Sequence, residues 1–411
     1  MIKSRPILYL EDNPLKIKNF LFFLIGHFIS FTGSWTQSTA QIWLVYQLTW
    51  SGLYLGIFSF ISSFPVVAMT FLAGILIDLF DRKKLLSLTL LFSIFPPLVL
   101  GLLTQFKIIT FWYITFLALL SSCLTAIDTP LRQVFISEIV PLPFLTKAIS
   151  FQALSFNTAR ILGPFLAGLI ISYGSIYQCF YLNALSFIPF LIFLVFFIKP
   201  QKLDKKNSKK KIEIRHTFKE VYSFLKEEKK IIVVILSVIT FTLFGASVMI
   251  LLPLIVHKIH GGGAKEFAFL SSLLGGGAIL GAFSVILGKP IQNKTLHLFK
   301  ATLLLCMGLV GLNIIKNWYF TLFFCGLIGF SFSNFFPVAN SYLQENTPEG
   351  LRGRVISLFT LSFLGIHPIG SFLAGFLVDK ISLHIVIFFY VILLFFINIY
   401  LLVFKLKNSK I

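Results

Sequence analysis

The sequence predicts an all-α membrane protein with twelve transmembrane helices in two pseudo-symmetric six-helix bundles. The composition is one reason: 57% of the 411 residues are hydrophobic, 12% are charged and the mean hydropathy is +0.91. A soluble domain carries about 25% charged residues, so this chain is an integral membrane protein. The other reasons are twelve long apolar runs and a repeat that relates the two halves.

The apolar runs set the number of helices. A helix needs about 20 mostly apolar residues to cross a bilayer. Runs of this kind cover roughly residues 19–47, 53–77, 84–104, 108–138, 143–172, 175–198, 230–256, 266–288, 295–314, 317–344, 353–379 and 382–404. Because twelve is an even number, both termini are expected on the same side of the membrane.

The basic residues predict which side that is. With both termini in the cytoplasm, about 29 of the 35 Lys and Arg fall in cytoplasmic loops, tails and adjoining helix ends. Arg160 lies within a run, and the residues left outside are Lys107, Lys258, Lys265, Lys316 and Lys380. The positive-inside rule therefore predicts cytoplasmic termini. The net charge of +20 is spread between apolar runs, so we expect no nucleic-acid partner.

The halves repeat with a constant offset. Residues 149–168 and 356–375 are identical at 10 of 20 positions, and both stretches end in Phe-Leu-Ala-Gly. A duplication of this kind indicates one fold made of two similar bundles. The predicted units are the bundles 1–198 and 230–411, joined by a basic cytoplasmic linker, 199–229, that ends in a short amphipathic helix.

The first run carries a polar stripe. Gly33, Gln37 and Gln41 follow one another at every fourth position, so they share one helix face. Amides in lipid are costly, and this face is expected to line a cavity or to bond a neighbouring helix. Trp35 either lines the same cavity or packs against it.

The fourth and fifth runs hold the ionisable candidates. Asp128 and Arg132 are four residues apart and can pair along a helix, which is the structural alternative to a functional acid. Arg160 stands out as the cation deep in an apolar run, and its repeat equivalent is His367. A residue of this kind is a candidate for a functional site. Asp128 has no acidic equivalent, because the repeat places Phe335 there.

Two motifs have spacings that suggest helix contacts. Ala159, Gly163 and Ala167 recur at every fourth position beside Pro164, so two helix backbones can approach closely on that face. In GILIDLFDRKK, the carboxylate of Asp78 follows the small residue Gly74 by one helical turn. That carboxylate is expected to accept from a base or from the N-terminus of a neighbouring helix.

Other chemistry is not indicated. The four Cys lie in apolar runs without metal-ligand spacing, and His257 with His260 offers only two possible ligands. The sequence contains no P-loop, nucleophile elbow or metalloprotease motif. We therefore expect no metal, no cofactor and no enzymatic activity.

The motifs of this sequence resemble those of the major facilitator superfamily, over nearly the full length of the chain. GILIDLFDRKK is similar to the signature between helices 2 and 3 of that superfamily, and the resemblance implies that this loop gates the cytoplasmic side. Its matching residues are Gly74, Asp78, Arg82, Lys83 and Lys84, and Asp81 stands where Gly is usual. ARILGPFLAG resembles the antiporter motif of the fifth helix. There Gly163, Pro164 and Gly168 match, whereas Ala167 replaces a Gly.

Three stretches, GSWTQSTAQIWLVYQLT, AIDTPLRQVFISEIVP and ARILGP, together resemble the bacterial branch of siderophore exporters and macrolide efflux proteins. The resemblance implies a monomeric, proton-driven exporter in the bacterial inner membrane. Its cargo is expected to be bound by Trp35, Gln37, Gln41, Asn157, Arg160 and His367, with Asp128 carrying the proton. An importer, a lysophospholipid flippase and a non-transporting receptor or scaffold remain alternatives.

Overall fold

The computed structural model describes residues 13–199, 224–226 and 228–407, and in these residues all regular structure is helical. Twelve long helical spans follow one another along the chain. They are α1 Lys18–Thr49, α2 Gly52–Leu79, α3 Arg82–Gln105, α4 Phe111–Ile139, α5 Leu145–Tyr173, α6 Ile176–Phe197, α7 Lys229–His260, α8 Ala264–Leu287, α9 Lys294–Ile314, α10 Trp318–Glu345, α11 Leu351–Lys380 and α12 Leu383–Lys407. The predicted number of helices is therefore confirmed.

Eleven of these spans are long and apolar enough to cross a membrane, and α1 is the exception. The 32 residues of α1 are long enough, but its glutamines, serines and threonines lower its hydropathy. A helix whose polar side chains face the inside of a bundle can still span a bilayer. The low hydropathy of α1 therefore indicates that its polar side chains face the inside of the bundle.

Several spans contain irregular turns that have local causes. The break in α3 comes just before Pro96 and Pro97, which lack the N–H groups that continue a helix. In α7, a 3₁₀ segment follows Gly245, and in α11 a π-helical turn covers Leu361–Gly365. π-Bulges are frequent at functional sites in helices.

Short connections join most of the successive spans, which alternate in direction, and hydrogen bonds between helix ends agree with this arrangement. We call the face of the molecule at residues 18, 198, 229 and 407 the terminus face, and the face at residues 50, 174, 261 and 381 the far face. On the terminus face, Asn19 Nδ2 donates to Lys199 O at 2.9 Å. On the far face, Asn313 Nδ2 donates to His384 O at 3.1 Å. The two described ends of the chain therefore lie on the same face.

The spans pack as two six-helix bundles. In the first half, α1 packs mainly on α5 and α6, and α2 packs on α4. In the second half, α10 packs on α8 and α9, and α9 packs on α12. Between the halves, the most extensive contacts join α2 to α11 and α5 to α8. The predicted linker 199–229 lies mostly outside the described residues, so the boundaries of the two units remain predictions.

The halves meet tightly at the far face and separate toward the terminus face. At the far end, a Cβ added to Gly375 of α11 would lie 2.1 Å from the carbonyl oxygen of Gly52 in α2. Toward the terminus face, a Cβ added to Gly74 of α2 or to Gly353 of α11 would meet no heavy atom within 4 Å. The α2–α11 pair is thus closed at one end and open at the other.

Candidate functional site

The polar stripe of α1 faces α6. A Cβ added to Gly33 would lie 2.2 Å from Ser186 Oγ, so only glycine permits this approach of the two helices. One turn along, Asn183 Nδ2 donates to Gln37 Oε1 at 2.8 Å. Gln41 Nε2 is buried and has no hydrogen-bond partner among the described residues. Gln37 therefore bonds a neighbouring helix, whereas Gln41 keeps a free donor.

The same stripe lines a central cavity of about 470 Å³. Its walls come from α1, α2, α3, α4 and α6 of the first half, with Ile250 of α7 and His367 of α11 from the second. The lining is rich in serine and amide groups and includes no Asp, Glu, Lys or Arg among the described residues. Four predicted cargo-binding residues meet in it: Trp35, Gln37, Gln41 and His367.

A second cavity of about 370 Å³ lies between α1, α4 and α5. Its polar lining includes Gln152, Asn157 and Arg132. Phe156 forms part of its wall, and the Phe156 ring lies 5.0 Å from that of Phe31 and 6.1 Å from that of Trp35. The structure thus places Asn157 in this cavity and not in the central one with Gln37 and Gln41.

Arg160 occupies a different environment from the one predicted. It lines neither of these two cavities, and its guanidinium group has no hydrogen bond or ion pair among the described residues. Pro164 lacks the N–H that would otherwise bond the Arg160 carbonyl. That carbonyl lies near α8, since a Cβ added to Gly275 would be 3.4 Å from it. Arg160 therefore lies at the boundary between the halves.

Among the described residues, Arg132 is the most buried cation, whereas the sequence singles out Arg160 by its position within an apolar run. Arg132 is among the largest fully buried side chains, and its Nε lies 2.6 Å from Asp128 Oδ2. The other Asp128 oxygen, Oδ1, has no partner among the described residues. Because Arg132 lies two turns before the end of α4, its sequence position resembles that of a basic residue anchored at the membrane interface.

His27 and Ser30 of α1 complete this cluster and were missed in the sequence. Arg132 Nη1 donates to Ser30 Oγ at 2.8 Å and lies 3.4 Å from His27 Nδ1. The guanidinium also lies 4.8 Å from the Phe31 ring centre and 4.7 Å from that of Phe190, a cation–π arrangement. His27 and Ser30 are one turn apart on α1, and that spacing was the signal available in the sequence.

The motif of the fifth helix holds α5 against two helices. A Cβ added to Gly163 would lie 2.3 Å from Trp35 Cβ, and Thr36 Oγ1 donates to the Gly163 carbonyl at 3.1 Å. Gly168 faces Ala268 of α8 instead. Ala159 and Ala167 are fully buried. This small-residue face therefore packs α5 against α1 and, at the far end, against the second half.

The predicted gate motif forms a network at the terminus face. Arg82 Nη1 lies 2.8 Å from Glu138 Oε1, at the end of α4. Lys83 Nζ donates to the carbonyl oxygens of Val195 and Ile198, which end α6. Asp81 Oδ1 accepts from Lys84 N at 2.9 Å and caps α3. The side chain of Asp78 lies outside the described residues, so its predicted contact remains a prediction.

The two far-face histidines bond to other side chains. His257 Nδ1 is hydrogen-bonded to the Tyr46 hydroxyl at 3.0 Å, and His260 Nε2 to Thr321 Oγ1 at 3.2 Å. Among the described residues, no group of three or more His, Cys, Asp or Glu side chains is arranged to hold a metal ion. The four cysteines are free, and three of them are buried.

Twelve alternating spans in two bundles, with cavities that carry polar side chains between the helices, define a membrane transporter of the major facilitator type. Residues 12–411 match the family described as transmembrane secretion effector, and the chain belongs to that family. The match leaves out only the first eleven residues of the chain.

Curated relatives are transporters and efflux proteins. The staphyloferrin A transporter of Staphylococcus aureus is 26% identical over 87% of this chain and 89% of its own length. Macrolide efflux protein A of Streptococcus pyogenes is 23% identical over the same shares of the two chains. These similarities place the chain in the siderophore and macrolide efflux branch of the superfamily.

Solved structures support the fold. The nucleoside transporter NupG superposes with a TM-score of 0.77 at 12% identity, over 94% of this chain and 99% of that one. A bacterial homologue of the iron transporter ferroportin, in an inward-facing state, superposes with a TM-score of 0.70 at 14% identity, over 95% and 98%. At these identities the likeness concerns the fold alone.

Proposed function

We propose that this transporter exports a siderophore-like or amphiphilic small molecule and that protons moving inward drive the export. The observation that carries the proposal is the central cavity, which lies between the helices, carries serine and amide side chains on a partly apolar wall, and is bounded by tight helix packing at the far face. A volume of about 470 Å³ is within the usual range for a small-molecule site. The names of the relatives support export of a siderophore or a drug-like compound.

The packing between the halves supports alternating access. Because α2–α11 and α5–α8 make the main contacts, rocking one bundle on the other opens one face of the cavity while it closes the other. The structure corresponds to the state that is open toward the terminus face. With both termini in the cytoplasm, this is the state in which an exporter loads its cargo.

The cargo contacts follow from the linings of the two cavities. Trp35, Gln41 and His367 supply an aromatic face, a free amide donor and an imidazole to the central cavity. Asn157 lies in the neighbouring cavity, beyond the Trp35–Phe156 contact. Arg160 completes the proposed set, with its guanidinium contacting an anionic or carbonyl-rich part of the cargo as the halves move.

Asp128 is the proposed proton carrier. One of its oxygens is bonded to Arg132 and the other has no described partner, so a proton has a free oxygen to bind. Protonation would neutralise the carboxylate and weaken its hold on Arg132, which already contacts α1 through Ser30. A change of charge at this point would act on the α1–α4 contact beside the second cavity.

The orientation belongs to the same proposal and has its own test. Reporter fusions after residue 205 and at the C-terminus should be active in the cytoplasm, and a fusion after residue 262 should be active outside. The opposite pattern would mean that the termini lie outside the cell and that the structure is open toward the outside.

One observation favours a flippase as a second candidate. An apolar groove of about 530 Å³ lies between α7 and α11 and carries Lys226 at its terminus-face end. Ile366 lines this groove, and its neighbour His367 lines the central cavity. An acyl chain in the groove, with an anionic headgroup at Lys226, would have a path toward the cavity.

Comparing a deletion strain with a strain that overproduces the protein tests the direction of transport. Export predicts that one small molecule accumulates inside the deletion strain and is depleted from its medium. A protonophore should abolish the difference. Lower uptake of a medium component by the deletion strain would overturn export and favour an importer. A change confined to lipid distribution between the leaflets would favour the flippase.

A further inference from the structure

The start of α2 is capped by a residue from the other half of the molecule. The Asp379 carboxylate, near the end of α11, accepts from Gly52 N at 2.8 Å and from Leu53 N at 3.1 Å. The hydroxyl of Ser51 also bonds to Asp379. The first N–H groups of a helix have no partner within that helix and carry partial positive charge, so a carboxylate binds them well.

Asp379 can reach α2 only because the two backbones almost touch. Gly375 lies one turn before Asp379 and faces Gly52 so closely that any side chain would collide with its carbonyl oxygen. One turn further along α2, a Cβ added to Gly56 would lie 2.9 Å from the carbonyl oxygen of Ser371 and from the Cα of Phe372. The glycine contact and the carboxylate cap together fasten the far ends of α2 and α11.

The sequence of α11 around Gly375 and Asp379 also occurs on α2, the helix against which it packs. Residues 372–379 of α11 read FLAGFLVD, and residues 71–78 of α2 read FLAGILID, with six of eight positions identical. The offset between the bundles does not relate these two stretches, because it pairs α11 with α5. The corresponding stretch of α5, FLAGLIIS, ends on Ser172. The pattern that ends in Asp therefore marks the two helices that pack against each other.

The two copies lie at opposite faces. Because α2 and α11 are antiparallel, Asp379 ends the pattern at the far face and Asp78 ends it at the terminus face. Gly74 follows Gly56 by 18 residues, or about five helical turns, so both are on the side of α2 that meets α11. At Gly56 the two helices touch, and at Gly74 nothing lies within 4 Å.

From these contacts we infer that Asp379 is a gating residue that holds the far face closed. At the terminus face the opposing carboxylate is Asp78 of the superfamily signature, for which the sequence already predicts a contact with a base or a helix N-terminus. The inference rests on the proposed alternating-access cycle. The two carboxylates stabilise opposite states, so the balance between them sets which face of the cavity is open.

Cysteine labelling tests the gate without any knowledge of the cargo. The four native cysteines are replaced, and a reporter cysteine is placed at Ser63, which lines the central cavity. A membrane-impermeant maleimide is then applied to each face, in right-side-out and in inside-out vesicles. The parent protein should react mainly from the terminus face.

In Asp379→Ala, the labelling rate from the far face relative to that from the terminus face should rise at least about fivefold, as expected for losing one or two kcal/mol of capping. Asp78→Ala should shift the ratio the other way, and the double variant should return it toward the parent value. Lys380→Ala, which removes the neighbouring exposed charge, is the matched control and should leave the ratio unchanged.

An unchanged ratio in Asp379→Ala would overturn the inference, as would an equal shift in Lys380→Ala. If Asp379→Ala is not recovered as a monodisperse protein, Ser51→Ala removes one partner of the carboxylate and should shift the ratio in the same direction by less. A shifted ratio in a protein without cargo flux would confirm the gate and refute the proposed export. Normal export with an unchanged labelling ratio would support the proposed export and refute the gate.

Discussion

The two halves share one fold but fill equivalent positions of α4 and α10 with opposite chemistry. In the first half, Asp128 and Arg132 form a buried ion pair. In the second half, the repeat places Phe335 and Ala339 at those positions, and both are fully buried. The Phe335 ring stacks on Phe241, with the ring centres 3.8 Å apart.

This difference separates what the fold requires from what transport requires. A buried ion pair is rarely more stabilising than apolar residues of similar size, because both charges lose their hydration. The aromatic stack of the second half shows that such a helix position packs without any charge. We therefore assign the chemistry of coupling to the first half and treat the equivalent part of the second half as packing.

The largest effect is expected from breaking the ion pair on one side only. Arg132→Gln leaves Asp128 buried without its partner and should cost about 3–5 kcal/mol of stability. Adding Asp128→Asn should recover most of that loss, since no unpaired charge then remains. Thermal unfolding of the purified protein in detergent measures both variants.

The second half provides the comparison for this experiment. Phe335→Ala should also cost about 3–5 kcal/mol, because it leaves a cavity beside Phe241. No polar substitution nearby should recover that loss. If the Asp128→Asn, Arg132→Gln double variant is as unstable as Arg132→Gln alone, the two positions do not differ as proposed.

A smaller effect is expected where α5 approaches α1. Gly163→Ala introduces a methyl group against Trp35 and should cost about 1–3 kcal/mol through overpacking. Gly353→Ala, at a helix position with open space around it, is the matched control and should be neutral or slightly stabilising. Equal unfolding temperatures for the two variants would show that the α1–α5 contact is loose.

The two glutamines of α1 should respond differently. Gln37→Ala leaves a buried Asn183 donor unpaired and should cost about 1–3 kcal/mol of stability. Gln41→Ala removes a group that has no described partner, so stability should hardly change while the apparent KM for cargo rises. Unfolding curves and transport rates, measured on the same preparations, distinguish the two roles.

The smallest effect concerns the gate motif at the position where it departs from the superfamily. Asp81 caps α3, and Asp81→Gly, which restores the usual residue, should cost only a few tenths of a kcal/mol. Asp81→Ala should cost about 1 kcal/mol because alanine is a poor cap. A larger loss in the glycine variant than in the alanine variant would refute the capping role.

The sequence predicted the parts of the fold that repeat. The length of the apolar runs predicted the twelve spans, and the constant offset related the halves. The spacing of Gly33, Gln37 and Gln41 identified the polar face of α1. These features are visible because each is a pattern in the order of the residues, either within one run or between two copies of it. The close packing at Gly163 was also visible, since small residues at every fourth position favour helix contacts.

The partners of charged residues could not be predicted in the same way. Arg132 is two turns from a helix end, where bases usually reach the membrane interface, yet the approach of α1 and α6 buries it. Asp379 is in the last turn of α11, and its partner lies 327 residues away in the sequence. Periodicity shows which face a residue occupies, but not which helix covers that face.

Proton coupling by Asp128 is tested most directly by measuring transport by Asp128→Asn in proteoliposomes, with cargo identified from the export comparison. We predict that the variant exchanges cargo across the membrane at zero gradient but no longer responds to an imposed pH gradient. The second-half control, Phe335→Leu, should keep both activities. Gradient-driven transport by Asp128→Asn at the parental rate would contradict the assignment of proton coupling to Asp128.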